Sequence, residues 1–324
     1  VTPSPDSLHE EMKKTPKSKK KLRFMSPVEE HPFSPAVDRT SPPSSKFEQS
    51  PSPPTKTPPA KKKKVTQVTP VPQKWIHNLT MEHKRKIESG QPLCSDVINT
   101  AQKLLKRQFP DISGLQQSER TPVWDEKQNQ WKYGIKFEKV NSPAVQIHHN
   151  GKFHWVTSIK LDGQIYVMDS LSNGKISPSL QIQLASMYGS DYHQLTVRIP
   201  QIQQQTNSVD CGLFAIANAV QFCFSFYQGS DLLKFDEPFL RHHLLHCLEK
   251  GAFSPFPRIE TKAKLNKKKI TYIDVQCDCK CRLPNLMQEM IGCDAPFKSC
   301  SVWRHRSCAE VEDDDDWYCT PHRH

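Results

Sequence analysis

Apolar residues recur with a structural period only from about Trp75 onward. Val97, Ile98, Ala101, Leu104 and Leu105 repeat at helical spacing behind the candidate caps Ser95 and Asp96, which predicts an amphipathic helix reaching Gln108. Strand-like runs follow at Ala144 to His148, His154 to Lys160 and Gln164 to Asp169, the last two joined by a turn at Asp162-Gly163. Leu180, Ile182, Leu184 and Met187 predict a short helix, and the alternation of Leu195, Val197 and Ile199 predicts another strand. Gly212 to Phe226 is the most apolar helical stretch, and Phe239 to Lys250 is a further helix stopped by Gly251. Strands mixed with flanking helices predict an α+β domain over residues 74–257.

Residues 1–73 show no such period. They hold fifteen of the 27 prolines and no Gly, Cys or Trp, too little apolar surface to offset the entropy of ordering, so a disordered arm is expected. Fourteen Lys/Arg against seven Asp/Glu in this arm supply most of the formal charge of +11. Two clusters stand out, Lys13 to Arg23 and Lys61 to Lys64, and the second has the form of a nuclear import signal. A solvated charge run and a contact with nucleic acid are the other readings of such clusters. Ser26, Ser34, Ser41 and Thr57, each followed by proline, are candidate phosphate acceptors beside them.

The 324 residues include eleven glycines, none closer than Gly163 and Gly174, so neither glycine-rich phosphate-binding motif can be written. The apolar run from Leu213 is broken by Asn218 and Gln221, which excludes a membrane helix there and predicts a soluble protein. The start at Val1 reads as a fragment of a longer chain.

Cys211 is the central chemical question, because it is either a nucleophile or a buried thiol. It immediately precedes the apolar helix, where the helix N-terminus favours a thiolate. His154 opens one predicted strand and Asp169 closes the next, so a hairpin would set a carboxylate on the imidazole. Gln205 is placed to offer an amide N–H to a developing oxyanion. By contrast, His148, His149, His242, His243 and His246 read as surface or satisfied core histidines, and Cys94, Cys223 and Cys247 as core thiols.

His154-Trp155, Asp169-Ser170-Leu171 and the Gln205-to-Gly212 string, in the order His, Asp, Gln, Cys, resemble the ubiquitin-like-protein-specific cysteine proteases of the SUMO-protease and adenain clan. Arg241-His-His-Leu244 is in the style of transposon-associated members. The resemblance implies a papain-like cysteine protease fold of the SUMO-protease type. It further implies that Cys211 attacks a carbonyl, His154 is base then acid, Asp169 orients His154, Gln205 lines the oxyanion hole and Trp155 walls a channel for a Gly-Gly tail. Where many members begin the first helix with Trp-Leu-Asn-Asp, this chain has Pro92-Leu93-Cys94-Ser95, and the roofing aromatic is absent.

Beyond Phe256 a basic stretch, residues 258–272, reads as a linker, and seven of the eleven cysteines crowd into residues 277–319. A small domain over 273–324 would need a staple, and metal fits a reducing compartment better than a disulfide framework. Cys279, Cys281, Cys293, Cys300, His305, Cys308, Cys319 and His322 supply the eight ligands that two structural Zn²⁺ ions require. The string resembles a PHD finger, whose interleaved pairing implies one site from Cys279, Cys281, His305 and Cys308 and another from Cys293, Cys300, Cys319 and His322. Cys277 is an alternative within the first pair, and His324 a poorer eighth ligand. PHD fingers commonly read histone H3 tails, which points to Trp303, Met290 and Asp294 as tail-binding residues, with packing of the finger as the other role for Trp303.

Together these observations predict a nuclear thiol isopeptidase or endopeptidase acting on SUMO-like or ubiquitin-like modifiers and directed to chromatin by its finger. A mobile-element processing protease and a non-catalytic histone-tail reader are the alternatives.

Overall fold

The computed structural model describes residues 21–22, 73–189, 193–225, 233–260, 270–295, 300–311 and 316–322. Most of the arm, including Lys61 to Lys64, lies outside the described residues. In chain order the elements are β1 (Lys21–Leu22), α1 (Met81–Glu88), α2 (Ser95–Gln108), β2 (Ser113–Gly114), β3 (Val123–Asp125), β4 (Gln130–Lys132), β5 (Ala144–His149), β6 (Trp155–Leu161) and β7 (Gln164–Met168). They continue with α3 (Pro178–Tyr188), β8 (Gln194–Pro200), α4 (Cys211–Ser225), β9 (Leu233–Phe235), α5 (Glu237–Lys250), β10 (Arg258–Glu260), β11 (Ile270–Gln276), β12 (Met290–Gly292), β13 (Trp303–His305) and α6 (Arg306–Ala309).

A six-stranded mixed sheet in the order β11-β8-β7-β6-β5-β2 forms the framework. Because strand side chains alternate between faces, the apolar residues divide into two cores. Val145, Ile147, Trp155, Ile159 and Met168 face α2, α4 and α5, while Val156, Ile165, Val167, Val197 and Ile199 face α3. Helix α4 is buried over most of its surface, which explains its high apolar content. Phe214 and Phe222 anchor it, and burial of each contributes roughly 1.5–3 kcal/mol. The β6–β7 hairpin turns through Asp162 and Gly163, both at positive φ (48° and 73°), as a two-residue primed turn demands. Among the described residues, no helix is long and apolar enough to cross a membrane.

The expected elements recur with small shifts at their ends, and the expected boundary after 257 does not hold. Residues 258–260 pair with β9, and 270–276 pair with β8 along the full length of β11, closing the sheet's edge. Alternation in Ile270-Thr-Tyr-Ile-Asp-Val-Gln places Val275 in the α3-side core, so residues 270–276, read as the end of the linker and the start of the finger, belong to the six-stranded sheet. Cys277 is buried in that same core, with its Sγ 3.7 Å from the Val275 carbonyl. The cysteine-rich unit therefore begins after it. Leu283 and Met287 of this unit pack on Ile182 of α3 and on Trp131 and Tyr133, so the cysteine-rich unit and the preceding domain share an apolar contact.

Candidate active site and metal clusters

Residues expected from three separate stretches converge at one end of the sheet. The β6–β7 register, Thr157 opposite Met168, brings the strand ends together, and His154 Nε2 lies 2.7 Å from Asp169 Oδ1. Asp169 Oδ1 also accepts from the Leu171 N–H at 2.8 Å, which fixes the carboxylate. Cys211 is the first residue of α4 and is buried. Burial alone would lower the His154 pKa, but the Asp169 hydrogen bond and the proximity of Asp169 and Cys211 outweigh it and push it up to about 9. With Nε2 committed to Asp169, Nδ1 is buried without a hydrogen-bond partner and is the nitrogen left for the thiol.

Gln205 is held in one orientation. Its backbone N–H donates to the Ser170 carbonyl, and the Ser170 hydroxyl donates to Oε1 at 2.7 Å. The amide nitrogen must then point the other way; one N–H goes to the Asn207 carbonyl at 2.6 Å, and the second is left over. Trp155 is only 5% exposed, and its indole N–H donates to the Leu93 carbonyl at 3.0 Å. It thus pins the segment where the roofing aromatic was missed. Leu93 in turn lies against Gly212, where an added Cβ would meet the Leu93 Cβ at 3.0 Å, so the residue after Cys211 has to be small.

Sequence reasoning missed the tie behind this site. Arg241 of α5 pairs with Asp210, the residue before Cys211, and donates to the carbonyls of Gln91 (2.9 Å) and Ile87 (3.2 Å). Only the Arg241-His-His-Leu244 resemblance hinted at it. His148 is a satisfied core histidine, bonded to Gln183 and Ser158, and desolvation lowers its pKa to about 4.

An arrangement in which a carboxylate-bound imidazole serves a thiol at a helix N-terminus is that of the cysteine-type peptidases. Residues 105–246 match the Ulp1 protease family, C-terminal catalytic domain, and this span contains His154, Asp169, Gln205 and Cys211. That part of the chain is therefore similar in sequence to the catalytic domain of ubiquitin-like-protein-specific cysteine proteases. Among solved structures, the chain is similar to the C-terminal Ulp1 protease domain in complex with Smt3, the yeast ortholog of SUMO. The identity is 16% and the TM-score 0.40, over 57% of this chain and 90% of that one. It is also similar to SUMO protease Ulp1 with its catalytic cysteine oxidized to a sulfenic acid (16% identity, TM-score 0.38, 53% and 84% covered). A de-sumoylating protease is a further similar structure, at 13% identity and a TM-score of 0.35, with 53% and 86% covered. No curated protein matches the chain.

In the cysteine-rich unit, Cys279, Cys281, His305 and Cys308 gather in one group, and Cys293, Cys300, Cys319 and His322 in another. This is the interleaved pairing. An ion about 2.3 Å from sulfur and about 2.0–2.1 Å from nitrogen sets tetrahedral neighbours roughly 3.5–3.8 Å apart. The Cys281–His305, Cys293–His322 and Cys300–Cys319 ligand atoms lie 3.3, 3.5 and 3.6 Å apart, so both groups fit such an ion. His305 Nε2 is 2.9 Å from the Pro284 carbonyl, which assigns the proton to Nε2 and leaves the Nδ1 lone pair as the ligand facing the sulfurs. The thiols crowd one another: hydrogen bonding to Cys279 raises the Cys281 pKa, and burial, with Cys300 and Cys293, pushes Cys319 up to about 11. A cation among them would relieve this.

A third group, His83, Cys94 and Asp96, does not fit an ion. His83 Nδ1 accepts the Thr80 backbone N–H at 3.0 Å as part of the α1 capping box, so a neutral ring keeps its proton on Nε2, the atom facing Asp96 at 3.4 Å.

The expected tail-binding residues behave differently from one another. Trp303 is partly exposed and its indole lies across Gly292, where a Cβ would sit 3.3 Å from the ring. Met290 is 3% exposed, because it turns into the finger opposite His305, and cannot form the opposite wall of an open pocket. Asp294 is engaged within the fold, its carboxylate accepting from the Trp317 N–H at 2.9 Å.

Proposed function

We propose that this chain is a thiol protease that releases SUMO-like modifiers, from precursors or from lysine side chains, at a site made by Cys211, His154, Asp169 and Gln205. The observation that carries this reading is the 2.7 Å hydrogen bond between His154 and Asp169, next to Cys211 at the start of α4. The Cys211 sulfur bonds to the carbonyl carbon of the modifier's terminal glycine while the spare Gln205 N–H receives the oxyanion. His154 then delivers a proton to the departing amine, and water, deprotonated by His154, cleaves the thioester. Trp155 and Leu93 back the channel along which an extended, side-chain-poor tail reaches Cys211.

In the same proposal the two Cys/His groups hold structural Zn²⁺, the ion suited to mixed thiolate and imidazole donors. The unit they build is a PHD-type finger that presents Trp303 to a histone tail, in a nuclear protein whose basic arm contacts nucleic acid. The test is covalent labelling by SUMO, ubiquitin and related modifiers carrying a C-terminal electrophile. SUMO-type probes are expected to label the protein and to fail on Cys211→Ala. Labelling that survives in Cys211→Ala, or none from any probe on folded protein, would overturn the reading.

A further inference from the structure

The cysteine-rich unit contains a sheet of three strands, and one of them comes from the arm. β12 is flanked by β13 on one side and by β1 on the other, with Leu22 opposite Met290 and Lys21 opposite Ile291. The register shows which peptide groups face the arm. Cys293 N–H donates to the Val302 carbonyl and Arg306 N–H to the Glu289 carbonyl, so residues 289, 291 and 293 spend their backbone groups on β13. In an antiparallel ladder the alternate residues face the other way, and Met290 and Gly292 therefore turn theirs to the outer edge. β1 covers this edge at Met290.

We propose that the outer edge of β12 is a peptide-docking edge whose resident occupant is the chain's own Lys21–Leu22 segment, which an external basic strand must displace. An open strand edge is a template for any extended segment, and main-chain pairing of this kind supplies affinity without demanding a particular side chain. Charge decides which segment comes. Residues 13–23 carry seven Lys/Arg and no acid, whereas residues 289–322 carry eight Asp/Glu against three Lys/Arg. Tethering adds to this, because a linked segment competes at an effective concentration of about millimolar. The inference rests on the metal-built finger of the proposed function, but not on the modifier.

Hydrogen exchange of the full chain tests it. Leu22→Pro removes the N–H that faces Met290, and exchange at Met290 is expected to rise roughly tenfold while β5 is unchanged. A synthetic peptide of residues 13–28 is expected to restore protection in Leu22→Pro, and to add none to the unaltered chain at the same concentration. Equal exchange at Met290 in the two proteins would overturn the proposal, as would a peptide that leaves the variant unprotected. Either failure leaves modifier-probe labelling of Cys211 as it was. Failure of the protease reading, by contrast, abolishes labelling and does not alter exchange at β12.

Discussion

Arg241 closes an ion pair with Asp210, the residue directly before Cys211, and with the same guanidinium holds the carbonyls of Gln91 and Ile87. Both charged side chains are largely buried, at 17% and 13% exposure, so the pair is shielded from the screening that weakens surface pairs. Asp210 also accepts from Asn207 Nδ2 at 2.7 Å, and its carbonyl receives the first helical N–H, from Phe214. Arg241→Ala leaves a carboxylate without its cation next to the proposed nucleophile. Turnover is expected to fall by about 10- to 100-fold, with a stability loss of roughly 1–3 kcal/mol. Arg241→Lys, which keeps the charge but loses the fork, should recover stability more than turnover. Steady-state kinetics with urea denaturation of both variants checks this, and equal recovery of the two quantities would sink the positioning role.

The raised His154 pKa has consequences of definite sign. The folded protein favours the protonated ring, so the stability contributed is full below the unfolded value of about 6.5 and is lost as pH rises through about 9. His148 works in the opposite sense: buried and neutral with a pKa of about 4, its contribution is full above about 6.5 and is lost as pH falls toward 4. Stability from these two groups is therefore expected to peak near pH 6.5, falling toward pH 4 as His148 is protonated and toward pH 9 as His154 loses its proton. Asp169→Asn removes the largest upward influence on His154, and should pull the alkaline limb of both stability and activity downward while leaving the acid limb in place. A pH series of thermal unfolding reads this directly; an unmoved alkaline limb would show that His154 is not the group responsible.

How far the sequence disclosed this site depends on the range of the contacts involved. The alternating strand β8 and the apolar helix α4 were legible because each is buried in a pattern set by its own residues. His154, Asp169, Gln205 and Cys211 were legible through their order, and the metal pairs through their spacing. Helix α1 was not, since Ile87 is its only fully buried residue and its pattern is otherwise polar. β11 was hidden because it follows a lysine run that reads as linker, although it alternates from Ile270 to Gln276. The Arg241–Asp210 pair and the Leu93–Gly212 contact join residues far apart in the chain, and no local pattern reports such a meeting.

Phe153, immediately before His154, is 96% exposed and sits at φ 58°, a conformation that costs a side chain other than glycine roughly 1 kcal/mol. An exposed aromatic held at such a cost beside the imidazole is placed to meet the folded body of a modifier rather than its tail. Phe153→Gly removes the ring and relieves the backbone. The variant is expected to be as stable as the parent or slightly more so, with KM for a modifier substrate raised about 3- to 10-fold and kcat nearly unchanged. Unaltered KM would assign the ring no part in recognition.

The two metal groups are expected to matter unequally to the protease, because only one borders the shared core. The cysteine-rich unit's own apolar cluster is small, with Cys293, Ala309, Trp317 and Cys319 as its buried members, so in the proposed function its fold would depend on the ions. Cys279 and Cys281 lie between β11 and the turn at Leu283 to Met287, which packs on Ile182, Trp131 and Tyr133. Losing the first ion releases that turn. Removing Leu283 and Met287 from their pocket forfeits about 1.5–3 kcal/mol each as an upper bound, a drop of roughly 6–24 °C in Tm for a unit of this size. Cys308→Ser, in the first group, should therefore lower the Tm of the protease core and its rate of probe labelling. Cys300→Ser, in the second group, should unfold the finger tip and leave the core near its original Tm. Native mass spectrometry should count two ions in the parent and one in each variant. Equal shifts in core Tm would mean that the shared contact does not carry metal binding into the catalytic domain.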